Sequence, residues 1–237
     1  MVSLLKCQEG SHDVARLSAV AHPFSRIANH LLNLDTVPIT YRATDMTTFI
    51  PALTLPHQVF ENAAASILLP IALGTAVGYS SRPKDTQKTY AAIKNPPLRP
   101  PPYVFGPVWT LLYGMMGYAA YRAVHNGLSP FSTIEQINMT KQGATLYTIQ
   151  LGLNLIWMPL FFVWKRPIEA TVDIVALLGV NSYLTYLWGS VDRVAGGLLV
   201  PYLGWLGFAT YLCAGAGYLN NWDLKGAEER AAAGKKE

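Results

Sequence analysis

Long apolar runs separated by short charged connections fill the sequence from Ala63 onward. The runs predict five spans, at residues 63–79, 103–124, 145–164, 170–191 and 197–219. Each approaches the roughly 20 residues that cross a hydrocarbon core as a helix. Barrel strands would be about half as long and would alternate strictly, which these runs do not. Because only helices and closed barrels span membranes, the sequence predicts an all-α membrane protein, a bundle of five transmembrane helices.

The scarcity of charge supports this class. Charged residues make up 14% of the chain, against about 25% in an average soluble domain. A soluble helical bundle is the alternative, but the spans are apolar all round and not along one stripe. Two cysteines imply no disulfide framework, and Cys213, inside an apolar run, is expected to be a small buried hydrophobe.

Lysine and arginine are distributed unevenly between the connections. One side carries only Arg122, Lys141 and Arg193, whereas the other carries Arg82, Lys84, Lys88, Lys94, Arg99, Lys165, Arg166, Lys225, Arg230, Lys235 and Lys236. The positive-inside rule therefore places the loop after the first span and the C-terminus in the cytoplasm. Residues 223–237 are expected to form a charged cytosolic tail.

Residues 1–60 differ from the rest of the chain. Residues 14–34 contain no acidic side chain, which is compatible with an amphipathic targeting or surface helix. Prolines also break this region, and a poorly structured extension is the favoured interpretation. Its histidines lack the spacing of a metal site, so no metal is predicted.

Prolines crowd the loop that follows the first span. They stand at positions 96, 97, 100, 101 and 102, and each removes a backbone donor and fixes φ. Residues before proline are pushed toward extended geometry. The pattern therefore predicts a stiff, extended loop over residues 94–102, joined directly to the second span at Tyr103. Such a loop at a membrane surface can act as a lid.

Several aromatic residues lie inside the predicted spans. Trp109 and Trp157 fall at about 9 and 10 Å below the same face, from the helical rise per residue. Tyr113 lies one turn below Trp109, and Trp205 lies near mid-membrane. These rings could fill gaps between helices, and without further information packing is the favoured interpretation. They could also line a pocket for a flat apolar ligand.

Three further tryptophans, Trp164, Trp188 and Trp222, fall at or just beyond span ends and are predicted to be interfacial anchors. Asn154 and Asn181 lie mid-span, where amides usually bridge helices.

Asp173, close to the start of the fourth span, is either a functional group or a cap of the first turn. No phosphate loop, dinucleotide fingerprint, metal cluster or serine elbow is present, so no catalytic residue is predicted.

Several motifs in order carry a family resemblance. They are residues 95–101 (NPPLRPP), 106–118 (GPVWTLLYGMMGY), 150–154 (QLGLN), 157–159 (WMP), 161–162 (FF) and 201–210 (PYLGWLGFAT). Together they resemble the translocator protein family (TspO/MBR, or peripheral-type benzodiazepine receptor). The resemblance covers roughly residues 63–222, and residues 61–222 are expected to form the five-helix membrane domain.

The resemblance implies a five-helix bundle, often a homodimer, whose pocket opens to the cytosol beneath the first loop. It implies tetrapyrroles (porphyrin or haem) and possibly sterols as ligands, no required cofactor and no nucleic acid. The mitochondrial outer membrane is the implied location, with the endoplasmic reticulum or another endomembrane as alternatives. By motif, the ligand-binding residues would be Trp109, Tyr113, Asn154, Trp157, Trp205, Phe208, Ala209 and Leu212. The lid would be Lys94, Pro96, Pro97, Leu98, Arg99, Pro100 and Pro101.

The sequence also departs from this family. Leu98 and Arg99 stand where relatives often have Trp and His, and Glu169 replaces a common Trp. The C-terminal sterol motif is degraded, and a formal match to its pattern occurs in the second span at Leu112, Tyr118 and Arg122. Tetrapyrrole binding for transport, scavenging or stress signalling is therefore the favoured function. A light- or oxidant-dependent porphyrin-degrading enzyme and a structural partner in a membrane complex remain alternatives.

Overall fold

The structure is a computed structural model that describes residues 53–81 and 83–233. Regular structure within these residues is helical and contains no strand, so the predicted all-α class is confirmed for this part of the chain. The elements are α1 (His57–Glu61), α2 (Ala63–Ser80), α3 (Pro83–Ala92), α4 (Pro102–Gly127), α5 (Ile134–Met158), α6 (Pro167–Val191), α7 (Arg193–Leu219) and α8 (Leu224–Ala233). A π-helical turn, Pro159–Val163, continues α5.

Four helices are long and apolar enough to cross a membrane: α2, α5 with its π turn, α6 and α7. α4 is 26 residues long but less apolar, and its last turns carry Arg122, His125 and Asn126. Residues 53–81 and 83–233 thus contain four candidate membrane spans, and the count of five stays a prediction. Most of the predicted N-terminal extension lies outside the described residues.

Local capping signals explain where the helices begin. Asn62 accepts hydrogen bonds from the first backbone N–H groups of α2. Thr133 and Gln136 form a reciprocal capping box at the start of α5. This helix therefore begins at Ile134, well before the predicted start at residue 145. The capping box precedes the apolar run, so hydropathy alone placed the boundary too late.

Glycine allows two helices to touch where α4 crosses α2. A Cβ at Gly117 would collide with the carbonyl oxygen of Ser66 and would lie 2.8 Å from the Cα of Ile67. Both of these are backbone atoms, which cannot move aside as a flexible side chain can. Close backbone approach through small residues is a principal means of helix association in membranes.

Trp188 is a core residue and not an interfacial anchor. Its side chain is fully buried, and its ring stacks on Tyr147 with 5.5 Å between centroids. Gly143 leaves the space that the indole occupies, since a Cβ there would overlap the ring. The anchor prediction is therefore wrong for Trp188, because a position near a helix end does not tell which side of the helix faces the bundle. Trp164 and Trp222 remain partly exposed.

Asp173 does not cap α6. It lies on the second turn of the helix, is 8% exposed, and its Oδ2 has no hydrogen-bond partner among the described residues. The first turn instead carries an exposed ion pair between Arg166 and Glu169 at 3.1 Å. The capping interpretation of Asp173 is wrong, and the carboxyl group is part of the interior.

At the end of the bundle farthest from the proline loop, a cluster of charged and polar side chains connects α4 to the start of α7. Arg122 Nη2 lies 2.9 Å from Asp192 Oδ2, and Asn126 Nδ2 donates to the same oxygen at 2.6 Å. The other carboxylate oxygen accepts from the backbone of Val194 and caps α7. Burial raises the pKa of Asp192, but these hydrogen bonds outweigh burial and hold it below its ordinary value. α4 is thereby tied to the turn between α6 and α7.

The opposite end of the bundle gathers the proline loop, α3 and the tail. Thr89 of α3 donates to Glu228 of α8 at 3.3 Å, and Lys165 forms an ion pair with the same carboxylate. Leu224 and Ala227 of α8 are buried. The first loop, the third loop and the tail therefore lie on one side, and the compartment that they face stays a prediction.

Candidate ligand cavity

A cavity of about 510 Å³ lies within the bundle on the side of the proline loop. α2 contributes small residues to its wall, including Gly74 and Gly78, while α3 contributes Tyr90. The remaining wall comes from α4, α5 with its π turn, α7 and Asn95 of the proline loop. The lining is mainly apolar and aromatic with a few polar groups, as small-molecule sites usually are.

Six of the eight predicted ligand-binding residues line this cavity: Trp109, Tyr113, Asn154, Trp157, Ala209 and Leu212. The other two form a layer behind the wall. Trp205 meets Trp109 edge-on with 6.4 Å between centroids, and Phe208 lies 5.8 Å from Trp205. The structure thus brings the predicted set together, while its role in binding stays a prediction.

Two aromatic groups stand in the cavity wall. On α4, Trp109 and Tyr113 lie 5.4 Å apart with a 33° angle between their rings. On α5, Trp157 stacks on Phe161 at 5.4 Å with a 16° angle. The wall therefore offers flat apolar surfaces from two different helices. Beyond the weak thiol acceptor of Cys213, the buried indole N–H of Trp157 has no partner among the described residues.

The π turn supplies wall residues that sequence reasoning did not assign to the site. Phe161 and Phe162 both line the cavity, with 4.9 Å between their ring centroids. A π turn inserts an extra residue into the helical repeat, so adjacent side chains can face the same space. Pro159 at the start of the turn is the signal that could have found them, because proline disrupts the preceding helical hydrogen bonds.

A buried hydrogen-bond chain begins at the cavity wall. Tyr113 donates to Asn154 Oδ1 at 2.6 Å, and Asn154 Nδ2 donates to the Tyr202 hydroxyl at 2.8 Å. Tyr202 in turn donates to Gln150 Oε1 at 3.2 Å, which also accepts from Asn181 at 3.4 Å. The chain joins α4, α5, α7 and α6. Both mid-span amides therefore bridge helices, as predicted.

The predicted lid residues do not line the cavity themselves; Asn95 and Pro102, inside and at the end of the loop, do. The loop turns at Leu98, which has φ 65° and is highly exposed. The Arg99 guanidinium lies 4.3 Å from the Tyr90 ring centroid and donates to the Tyr90 carbonyl at 3.0 Å. Arg99 is thus bound to α3 and not directed into the cavity.

α7 and its C-cap residue, Asn220, hold the other side of this loop. Asn220 accepts from the Lys94 backbone N–H at 3.0 Å and donates to its carbonyl at 2.8 Å, so one side chain pairs with both backbone groups. Tyr211 donates to the Pro97 carbonyl at 3.2 Å, and Pro96 packs where Gly215 leaves room. Sequence reasoning missed Asn220, since its partner lies 126 positions away.

We expect Asn220→Ala to loosen the loop without unfolding the bundle. Two hydrogen bonds to Lys94 are lost, each contributing about 1 kcal/mol, so opening should become about 30-fold more frequent. Hydrogen exchange of the amides at Lys94, Asn95, Leu98 and Arg99 measures this. Thr210→Ala is the matched control, because the Thr210 hydroxyl donates to Leu206 of its own helix and to no other described residue. Unchanged exchange in Asn220→Ala would show that the side chain does not hold the loop.

The polar groups that line the cavity are hydroxyls, amides, indole N–H groups and the thiol of Cys213. Within residues 53–81 and 83–233, no cluster of His, Cys, Asp and Glu could hold a metal ion. Cys213 lines the wall as a buried thiol beside Thr171, as expected for a small hydrophobe. The arrangement is suited to enclosing a flat apolar molecule with few polar contacts.

Comparison with known proteins agrees with this geometry. Residues 66–219 match the sequence model of the TspO/MBR family. The "Translocator protein homolog" of Schizosaccharomyces pombe is 37% identical over 172 residues, which cover 71% of this chain and 100% of that protein.

Two further relatives come from distant organisms. The "Tryptophan-rich protein TspO" of Archaeoglobus fulgidus is 39% identical over 62% of this chain and 90% of its own length. The human "Translocator protein" is 36% identical over 63% of this chain and 85% of its own length. The match covers the helices that build the cavity and most of the whole length of these relatives. The chain is a multi-pass membrane protein in contact with the lipid bilayer, and it belongs to the TspO/MBR family.

Proposed function

We propose that this protein binds tetrapyrroles, porphyrin or haem, in the loop-side cavity, for transport, scavenging or stress signalling. The observation that carries the proposal is the pair of aromatic surfaces in one cavity, Trp109 with Tyr113 and Trp157 with Phe161. A flat macrocycle gains both area burial and ring-on-ring contact from such surfaces. The cavity volume lies within the range of small-molecule sites, about 300–1,000 Å³.

The proposal favours a tetrapyrrole over a sterol. The formal sterol motif of α4 does not form one outward surface, because Leu112 is 4% exposed and belongs to the core. Arg122, the cation of that motif, is engaged with Asp192. A sterol could still enter the same aromatic cavity, where it would compete with porphyrin.

The location and assembly belong to the same proposal. We place the protein in the mitochondrial outer membrane, with its C-terminus and cavity toward the cytosol, on the charge distribution and the family resemblance. A homodimer is the proposed assembly, on the resemblance alone. The proposed role is binding and transfer without chemical conversion of the ligand.

We expect Trp157→Ala to weaken protoporphyrin binding about tenfold, a loss of about 1.4 kcal/mol, because one aromatic surface of the cavity disappears. Titration of detergent-purified protein, followed by the porphyrin absorbance shift, measures the dissociation constant. Tyr183→Ala is the control, since Tyr183 is an exposed aromatic on α6 outside the cavity. Equal affinities for the two variants would show that porphyrin does not bind against Trp157 in the cavity.

A further inference from the structure

A second recess, of about 510 Å³, lies at the surface where α5 and its π turn end. Leu160, Val163 and Trp164 form its apolar part, and Arg166 and Lys225 form its cationic part. We call these five residues the Trp164 groove. It shares no lining residue with the aromatic cavity. Neither the family resemblance nor the proposed function assigns it a role.

The groove lies at the expected depth of lipid headgroups. The apolar stretch that can span the membrane ends at Val163, so Trp164 directly follows the span. About half of each side chain, Val163 and Trp164, is exposed. Aromatic residues at such positions sit between the acyl chains and water. Leu160 lies one helical turn deeper, whereas Arg166 comes after the span.

Charge in the groove is positive and partly uncompensated. Lys165, next to the groove, is neutralised by Glu228. Arg166 forms an ion pair with Glu169, but both side chains are exposed to solvent. Solvent screening weakens the attraction between them. Lys225 has no ion-pair partner in the described part of the chain. Among the described residues, no acidic side chain lines the groove, so an anion there would meet two cations.

We propose that the Trp164 groove binds an anionic phospholipid, with its phosphate between Arg166 and Lys225 and an acyl chain along Leu160 and Val163. Basic pockets beside membrane helices bind anionic headgroups, and each cation near the surface strengthens binding about fivefold. A zwitterionic lipid carries no net negative charge, so it neutralises the two cations less well than an anionic lipid does. A free anion makes no use of the apolar wall, which distinguishes a lipid from inorganic phosphate.

The proposed lipid contacts two structural elements, the start of α6 and α8, at this end of the bundle. Arg166 immediately precedes α6, and Lys225 belongs to α8. α8 also contacts α3 through Glu228 and Thr89, and α3 contributes to the cavity wall. Bound lipid therefore stabilises the position of α8 from the membrane side. This inference does not depend on tetrapyrrole binding.

The test compares phosphatidylglycerol with phosphatidylcholine on the full chain in detergent. Native mass spectrometry counts retained lipid, with inorganic phosphate added as a competitor. Wild-type protein should retain one phosphatidylglycerol in preference to phosphatidylcholine. The double variant Arg166→Gln with Lys225→Gln should reduce this preference about tenfold. The expected reduction is smaller than the loss of two unpaired cations would give, because Arg166 is already paired with Glu169.

Two variants sharpen the result. Glu169→Gln releases Arg166 from its ion pair and should raise the preference about two- to threefold. Arg193→Gln removes an exposed cation at the opposite end of the bundle and should leave it unchanged. Melting in phosphatidylcholine verifies that every variant is folded.

Three outcomes would overturn the proposal. They are an unchanged preference in the double variant, an equal loss in Arg193→Gln, and displacement of phosphatidylglycerol by millimolar inorganic phosphate. The last would show an anion site without use of the acyl chain.

Discussion

Gly117→Ala is expected to destabilise the bundle by about 2 kcal/mol. The added Cβ would overlap the Ser66 carbonyl oxygen and crowd the Cα of Ile67, and both belong to the backbone of α2. Overpacking of this kind costs about 1–3 kcal/mol. The helix-propensity gain of alanine over glycine, about 1 kcal/mol, offsets only part of the cost. α2 must move outward, and its residues Gly74 and Gly78 form part of the cavity wall.

The matched control lies one turn away on the same helix. Gly114→Ala meets no atom closer than 4.0 Å, from Ile71, so only the propensity gain applies. The two variants should therefore differ by about 3 kcal/mol in unfolding free energy. Reversible unfolding in mixed micelles measures the difference, and porphyrin titration should show weaker binding only for Gly117→Ala. Equal stability of the two variants would mean that α2 and α4 are not in backbone contact there.

Asn154→Leu carries the second-largest expected effect, also a loss of about 2 kcal/mol. Leucine has the same number of side-chain heavy atoms with the same branching at Cγ, so the shape is largely kept while two hydrogen bonds disappear. Tyr113 loses its acceptor and Tyr202 loses a donor in the interior. A buried polar group left unsatisfied costs about 1–3 kcal/mol. In membrane proteins, the stabilisation from each hydrogen bond between helices lies toward the lower end of this range, at about 0.6–2 kcal/mol.

Tyr113→Phe separates the two contributions. It removes only the bond between Tyr113 and Asn154 and keeps the ring that faces Trp109. The expected loss is about 1 kcal/mol, and porphyrin affinity should change little. Thermal unfolding of the two variants in the same detergent measures both. If Asn154→Leu were as stable as wild type, the hydrogen-bond chain would be dispensable for joining the four helices.

The hydrogen-bond chain includes a residue that also lines the cavity, Asn154. Asn154 lines the cavity and also ties α4 to α7 through Tyr113 and Tyr202. A ligand that contacts Asn154 therefore rests on a side chain whose orientation is fixed by partners on two helices. Fixed polar groups of this kind orient a ligand at little entropic cost. Affinity changes at Asn154 must be interpreted together with unfolding data.

Residues with strong local signals were predictable from sequence. Trp109 and Trp157 were placed at one depth by helical rise alone, and both line the cavity. The proline loop was recognised because proline acts on its own backbone and on the residue before it. Its turn at Leu98 was not predicted, since the contacts that hold it come from α3 and α7.

Other features needed the folded chain. α3 was taken as part of a charged loop, because its sequence PKDTQKTYAA shows no apolar stripe. It is helical and contacts α8 through Thr89 and Glu228. Trp188 was taken as an anchor, yet Gly143 provides the space that buries it. Each case depends on a partner distant in sequence.

The sequence by itself determined the all-helical class, the apolar segments and the family, because hydropathy, proline geometry and ordered motifs are properties of neighbouring residues. Tertiary structure alone decided which faces of those helices meet. It placed Asn220 against Lys94, Asn154 between two tyrosines, and Arg166 and Lys225 in the wall of one recess. The physical reason is that nearly uniform apolarity leaves helix rotation undetermined by hydropathy. Close contacts through glycine and a few buried hydrogen bonds then select one arrangement.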